Sequence, residues 1–140
     1  MKDAQVAYRL RVLFDKKITA YYQDSFKGIF GKVQVEVLNY LYEYREARTQ
    51  EIAEIMNIPK QHASKILMRL EELNLVESKP DEMDRRARKY CLTEQGIHFM
   101  NQHIEESDRN FEELLERLSV EEKEQLMSSM RMMVEILEKL

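Results

Sequence analysis

One segment of the chain places hydrogen-bonding and cationic side chains on a single helical face. At about 100° per residue, Gln61, His62, Lys65 and Arg69 fall together on one side of the segment 59–73. We call these four residues the reading face. The opposite side is apolar and carries Ala63, Ile66, Leu67, Leu70 and Leu73. Amide, imidazole and cationic groups can reach base edges in the DNA major groove. Taken alone, the stripe fits a solvated helix face equally well.

A second concentration of positive charge lies in the segment 80–88, which shows no apolar periodicity. Segments with strand character, Leu75–Lys79 and Lys89–Leu92, flank it and predict a hairpin with a long tip. The cationic residues of this region are Arg85, Arg86, Arg88 and Lys89. A cationic tip suits phosphates or a narrow minor groove. Asp84 is expected to pair with a neighbouring arginine and to hold the tip in shape.

Apolar residues recur at spacings of three and four through the rest of the chain, which predicts helices. The predicted helices cover residues 3–27, 33–44, 49–56, 59–73, 94–118 and 120–137. Thr49 and Thr93 are expected to cap the third and fifth helices, and Pro59 to occupy the first position of the fourth. Ser119 and Glu122 have the spacing of a capping box for the sixth. The residues 45–48 are predicted to form a polar break.

Length and composition favour one compact helical domain, since the 140 residues include only three glycines and two prolines. The net charge is -4, but residues 105–139 hold eleven acidic and five basic residues, so the other residues together carry +2. The acidity is therefore concentrated at one end. We expect a cytoplasmic protein, because neither a signal peptide nor an apolar run long enough for a membrane span is recognised. The one cysteine, Cys91, predicts no internal disulfide and no cysteine-based zinc site.

The segment from Asp84 to Gly96 resembles the wing signature Asp-x-Arg-x5-Leu-Thr-x-x-Gly of the MarR/SlyA family of winged helix-turn-helix regulators. Asp84, Arg86, Leu92, Thr93 and Gly96 match it in type and spacing. The segment 49–74 is similar to the family's helix-turn-helix. Helix order and chain length also agree with the family from end to end.

The resemblance implies a mainly α fold with a small β-hairpin wing, in one MarR-type domain spanning 1–140. Residues 1–30 and 94–140 would form a helical dimerisation region, and 32–93 the winged helix-turn-helix. It implies a homodimer that binds double-stranded DNA at a palindromic operator, more often as a repressor. By position, Gln61, His62 and Lys65 match the family's base-contacting stretch, and Arg86 its minor-groove arginine. Charge and face add further contacts, chiefly to phosphates, at Lys60, Arg69, Arg85, Arg88 and Lys89.

Other functions remain open at this stage. Related proteins bind aromatic acids between their dimerisation and DNA-binding regions, and Tyr21, Tyr22 and Tyr40 are candidates to line such a site for an aromatic or amphipathic anion. Core packing explains these tyrosines equally well. A winged-helix module that binds an acidic protein instead of DNA is the alternative interpretation. We expect no enzyme, cofactor or metal, because no phosphate loop, activated nucleophile or ligand cluster is recognised.

Overall fold

The computed structural model describes residues 1–20 and 30–140. These residues form six α-helices and a three-stranded antiparallel sheet, with a π-helical turn, Asp15–Thr19, directly after the first helix. The elements are α1 Asp3–Phe14, α2 Lys32–Tyr44, β1 Glu46–Arg48, α3 Thr49–Met56, α4 Lys60–Glu72, β2 Val76–Pro80, β3 Arg88–Leu92, α5 Glu94–Leu115 and α6 Val120–Leu137. This is the mainly helical fold with a β wing that the sequence predicted. None of the described helices is both long and apolar enough to cross a membrane.

The chain divides into two compact units. A helical unit contains the described residues of 1–22 together with 107–140, and a winged unit contains those of 23–106. The dimerisation region expected at 1–30 and 94–140 overlaps the helical unit, but residues 94–106 belong to the winged unit. The winged unit contains the segment assigned to DNA binding.

A single apolar cluster forms the core of the winged unit. Leu38, Leu41, Ile52, Leu67 and Leu70 are almost completely buried in it. These residues come from α2, α3 and α4. The sheet closes one side of the core through Ala47, Val76, Tyr90 and Leu92. The core thus fixes α4 and the sheet relative to each other.

The sheet differs from the prediction by one strand. Its order is β1-β3-β2, so β1 adds to the hairpin as a third strand. The prediction of a polar break at residues 45–48 was wrong because Ala47 is buried against the core and faces Tyr90 across the sheet. One buried alanine in a polar stretch gives no visible periodicity. The hairpin strands themselves lie within one residue of their predicted bounds.

Helix ends follow the predictions in part. Asn57 ends α3 in the left-handed conformation with φ 52°, and the reciprocal Ser119 and Glu122 hydrogen bonds begin α6. The residue preceding α3 is Arg48 and not Thr49, and Pro59 precedes α4 instead of being its first residue. The fifth helix ends at Leu115, three residues earlier than predicted. The predicted end of the first helix lies outside the described residues, as do Tyr21 and Tyr22.

Candidate DNA-binding surface

The turn between α3 and α4 determines which side of α4 faces outward. After Asn57, the amide of Ile58 donates to the carbonyl of Ala53 at 3.0 Å. The carbonyl of Pro59 then accepts hydrogen bonds from the amides of His62 and Ala63 at 3.0 and 3.1 Å. These bonds start α4 with its apolar residues directed into the core. Two helices joined by this tight turn, with the second exposed, form a helix-turn-helix.

The reading face lies on the exposed side of α4, where the sequence predicted it. Gln61, His62 and Lys65 are exposed, as is Lys60 in the first turn of the helix. The side chains of Lys60 and Lys65 make no hydrogen bond or ion pair with any described residue. Arg69 is also exposed, but its guanidinium lies 3.2 Å from the carboxylate of Glu72 one turn further on. The N-terminal half of the helix therefore offers the unengaged cations.

The wing consists of β2, β3 and the connecting residues 81–87, which we call the wing tip. Arg85 and Arg86 are exposed on it and make no side-chain hydrogen bond or ion pair within the described part of the chain. The Asp84 carboxylate accepts a hydrogen bond from the backbone amide of Arg86 at 3.0 Å, and the carbonyl of Asp84 accepts one from Ala87 at 3.0 Å. Asp84 thus shapes the wing tip through backbone amides, and the arginine pairing expected for it is not found among the described contacts.

Two other predicted contact residues are engaged within the sheet. The guanidinium of Arg88 donates to the hydroxyl of Ser78 at 2.6 and 3.1 Å. The ammonium of Lys89 lies 2.9 Å from the carboxylate of Glu46 on β1, and this hydrogen bond raises the pKa of Lys89 above its usual value. Both side chains lie on the strands, whereas Arg85 and Arg86 lie beyond them. Of these four predicted contact residues, only Arg85 and Arg86 have side chains without a hydrogen bond or ion pair in the described part of the chain.

The sequence interpretation missed the part that Asp81 plays in the wing. Its side chain is fully buried and forms an ion pair with the guanidinium of Arg48. The amide of Met83 donates to its carboxylate at 2.9 Å, and this hydrogen bond, together with Arg48, lowers the pKa of Asp81. No role was assigned to Asp81 from the sequence. No local pattern connects it with a residue 33 positions earlier.

The C-terminal part of the wing motif has a direct structural role here. Thr93 Oγ1 accepts a hydrogen bond from the amide of Gly96 at 2.9 Å, which confirms Thr93 as the cap of α5. The same hydroxyl donates to the carbonyl of Asn74 at 2.6 Å, and the amide of Thr93 donates to the carbonyl of Leu75 at 3.0 Å. The start of α5 is thereby fixed to the chain that leads from α4 into β2.

Cys91 and Tyr40 occupy partly buried positions. Burial first, and then the nearby carboxylate of Glu77, raise the pKa of the Cys91 thiol, which disfavours the reactive thiolate. Tyr40 stacks on Tyr44 with ring centroids 4.5 Å apart, and burial raises its pKa, followed by the charge of Glu51. These contacts give Tyr40 a packing role within the winged unit. They leave its predicted role in effector binding untested.

Comparisons with known proteins agree with this geometry. Residues 30–96 match the family described as "Winged helix DNA-binding domain". No curated protein matches the chain in sequence. The fold is similar to that of the transcriptional regulator Tm0710 from Thermotoga maritima, with a TM-score of 0.79 and 18% identity over 96% of both chains.

Two further solved structures have the same fold. MepR, a transcription regulator of the Staphylococcus aureus multidrug efflux pump MepA, has a TM-score of 0.74 and 23% identity over 94% of this chain and 97% of its own. A mutant of MarR from E. coli has a TM-score of 0.75 and 18% identity over 96% of this chain and 97% of its own. These findings confirm the resemblance seen in the sequence: the chain has the fold of the MarR-family regulators, and its residues 30–96 match the winged helix DNA-binding domain family.

Proposed function

We propose that this DNA-binding regulator recognises a palindromic operator as a homodimer and acts as an effector-responsive repressor. The observation that carries the proposal is the exposure of Lys60, Gln61, His62 and Lys65 at the start of α4, in the same compact unit as Arg85 and Arg86 on the wing tip. A helix in the major groove with a cationic wing in the adjacent minor groove uses both sets of side chains.

The direct test is selection of bound fragments from random or genomic DNA. Enrichment of an inverted repeat is expected, with half-sites separated by about one helical turn or a multiple of it. This result would establish DNA recognition and two-fold symmetry together. Failure to enrich any sequence would contradict the proposal and would favour the protein-binding module.

The two DNA-contacting elements should contribute differently. Lys65 projects from a rigid helix, so Lys65→Ala should cost about 1–3 kcal/mol at the selected operator and relax preference at one position of each half-site. Arg86 lies on the wing tip, so Arg86→Ala should weaken binding to most sequences and reduce the salt dependence by about two released counterions per dimer. Binding isotherms on operator and scrambled duplexes across a salt series measure both effects. If Arg86→Ala binds DNA with unchanged affinity at every salt concentration, the wing is not part of the contact surface.

The proposed dimer has support in the helical unit, which exposes many large apolar side chains. Of the described residues of α1, none is buried. A largely apolar groove of about 630 Å³ is lined by Leu13, Phe14, Leu118, Met130 and Met133, among others. On α6, Met132, Val134, Ile136 and Leu137 are each more than half exposed. A second copy of the chain would cover these side chains, and an isologous arrangement would use the same surface on both copies.

Light scattering tests the dimer, because a mass near twice the 16.9 kDa of one chain is expected. Removal of residues 120–140 should abolish folding or dimerisation. A sharper change is Leu137→Asp, which places a charge on the exposed apolar side of α6. Arg131→Asp changes an exposed polar residue of the same helix and is the control, expected to stay dimeric. A monomeric wild-type chain that binds the operator would contradict this part of the proposal.

The effector is proposed to be an aromatic or amphipathic anion, with Tyr21, Tyr22 and Tyr40 as candidate contacts. Thermal unfolding in the presence of benzoates, phenols and fatty acids tests this, since a ligand that binds only the folded state raises the unfolding temperature. A true effector must also release the operator. Compounds that stabilise the protein without changing DNA affinity would not meet this requirement.

A further inference from the structure

We propose that Arg48 and Asp81 are positioning residues that attach the wing tip to the start of the helix-turn-helix, so that Arg86 and the reading face meet DNA in one fixed geometry. This inference rests on the proposed function. It predicts that the affinity for DNA depends on two residues that do not themselves touch DNA.

Arg48 lies where the helix-turn-helix begins. It is the last residue of β1 and directly precedes α3, and its amide lies 3.3 Å from the carboxylate of Glu51 in the first turn of that helix. Its guanidinium forms the ion pair with Asp81. One residue therefore joins β1, α3 and the wing.

Asp81 lies where the wing tip begins. The pairing of β2 with β3 ends at Pro80 and Arg88, and the amide of Asp81 adds one further hydrogen bond to the carbonyl of Ala87 at 3.0 Å. Its carboxylate has two connections: the amide of Met83 at 2.9 Å within the wing tip, and Arg48 outside it. A buried carboxylate requires such partners, because desolvation strongly disfavours an unpaired charge.

The rest of the wing tip makes few other contacts that could fix its position relative to the core. Residues 82–86 are all exposed, and the Met83 side chain is 89% exposed. Apolar packing therefore does not fix these residues against the core. Asp84 shapes the turn from within but connects it to no other element. Among the described side-chain contacts of residues 81–87, the ion pair with Arg48 is the one that reaches outside the wing.

Asp81→Asn separates the two connections of the carboxylate. The asparagine side chain keeps a carbonyl oxygen that can accept from the Met83 amide, but it removes the charge that pairs with Arg48. Glu82→Gln is the matched control, since it removes the same charge from the next residue, which is exposed. Each variant is combined with Arg86→Ala for the DNA measurements, and each is first checked for folding by circular dichroism.

The first measurement needs no DNA. Amide hydrogen exchange of the free protein should become faster at residues 82–87 in Asp81→Asn and remain unchanged in α4, whereas Glu82→Gln should exchange like the wild type. Unchanged exchange in Asp81→Asn would overturn the proposal. Global unfolding of Asp81→Asn, with the same result for Arg48→Lys, would also overturn it, because the ion pair would then be a general requirement of the fold.

The second measurement is operator binding across a salt series. Asp81→Asn should lose affinity on the order of tenfold and show the reduced salt dependence of Arg86→Ala. Adding Arg86→Ala to Asp81→Asn should cost little more, because the arginine is already out of place. Equal effects of Arg86→Ala in both backgrounds would overturn the inference. If the wild type binds no DNA while exchange still responds to Asp81→Asn, the proposed function fails and the attachment of the wing tip stands.

Discussion

Replacement of Gly96 by alanine should destabilise the winged unit, although alanine favours helices. Gly96 lies in the first turn of α5 and is buried. A Cβ built on it would overlap the carbonyl oxygen of Leu75 and lie 3.0 Å from the carbonyl carbon and 3.3 Å from the Cα of that residue. All three obstructing atoms are backbone atoms, so no side-chain rotation can relieve the overlap. Either α5 or the start of the wing has to move.

Two costs and one gain determine the size of the loss. Overpacking that forces a backbone shift costs about 1–3 kcal/mol. The same carbonyl of Leu75 accepts the hydrogen bond from Thr93, and its weakening adds about 0.5–1.5 kcal/mol. Alanine recovers up to about 1 kcal/mol through its better helix propensity. The net expectation is a decrease of about 0.5–3.5 kcal/mol in the free energy of unfolding, since the two costs together exceed the gain.

Urea unfolding followed by circular dichroism at a fixed protein concentration measures this change. Gly31→Ala is the matched control, because no atom in the described part of the chain lies within 4 Å of a Cβ at that position and φ is -72°. Gly31→Ala should change the free energy of unfolding by no more than about 1 kcal/mol. Alanine is a poorer residue than glycine before the first turn of a helix, but it also makes the unfolded chain less flexible, and these two effects oppose each other. A Gly96→Ala protein as stable as the wild type, with an unchanged denaturant slope, would refute the close approach of α5 and Leu75.

Two further predictions concern the pH dependence of stability and a helix cap. Burial lowers the pKa of His103 to about 4 from 6.5, so the unfolded chain binds a proton in this interval that the folded chain does not. The free energy of unfolding should therefore decrease as the pH falls from about 6.5 to about 4. Urea unfolding at several pH values should show a weaker dependence for His103→Gln; equal slopes would contradict the assignment. Ser119→Ala should cost about 1 kcal/mol by removing the 3.1 Å bond to the Glu122 amide. Ser129→Ala, within the same helix, is its control, and equal losses for both variants would argue against a specific cap.

The reading face could be predicted because helical periodicity connects residues close in sequence. Gln61, His62 and Lys65 are exposed for the same reason that Ala63, Ile66 and Leu67 are buried, since each set repeats at the helical period. The wing was recognisable from a motif that extends over adjacent residues. The caps of α5 at Thr93 and of α6 at Ser119 were likewise local, and both are confirmed.

The missed strand and the missed side-chain contacts depend on residues that lie far apart in the chain or on the detailed backbone geometry of a turn. Strand β1 forms only because β3 is present to pair with it, and a three-residue strand carries almost no periodicity of its own. Lys89 was predicted to contact a DNA phosphate because of its charge and position. The pairing of β1 with β3 instead brings the carboxylate of Glu46 to 2.9 Å from its ammonium. Asp84 was predicted to pair with a neighbouring arginine. The backbone geometry of the turn instead directs its carboxylate to the backbone amide of Arg86.

The sequence by itself determined the apolar and polar sides of α4, where most helices begin and end to within a few residues, and where the cationic side chains of α4 and the wing are concentrated. Local hydrogen bonds and apolar periodicity control these properties, and both act over a few residues. Only the tertiary structure decided that Arg48 faces Asp81 and that Gly96 abuts the carbonyl of Leu75. Such contacts arise when packing of the core brings distant backbone segments together, and no pattern within either segment encodes the distance between them.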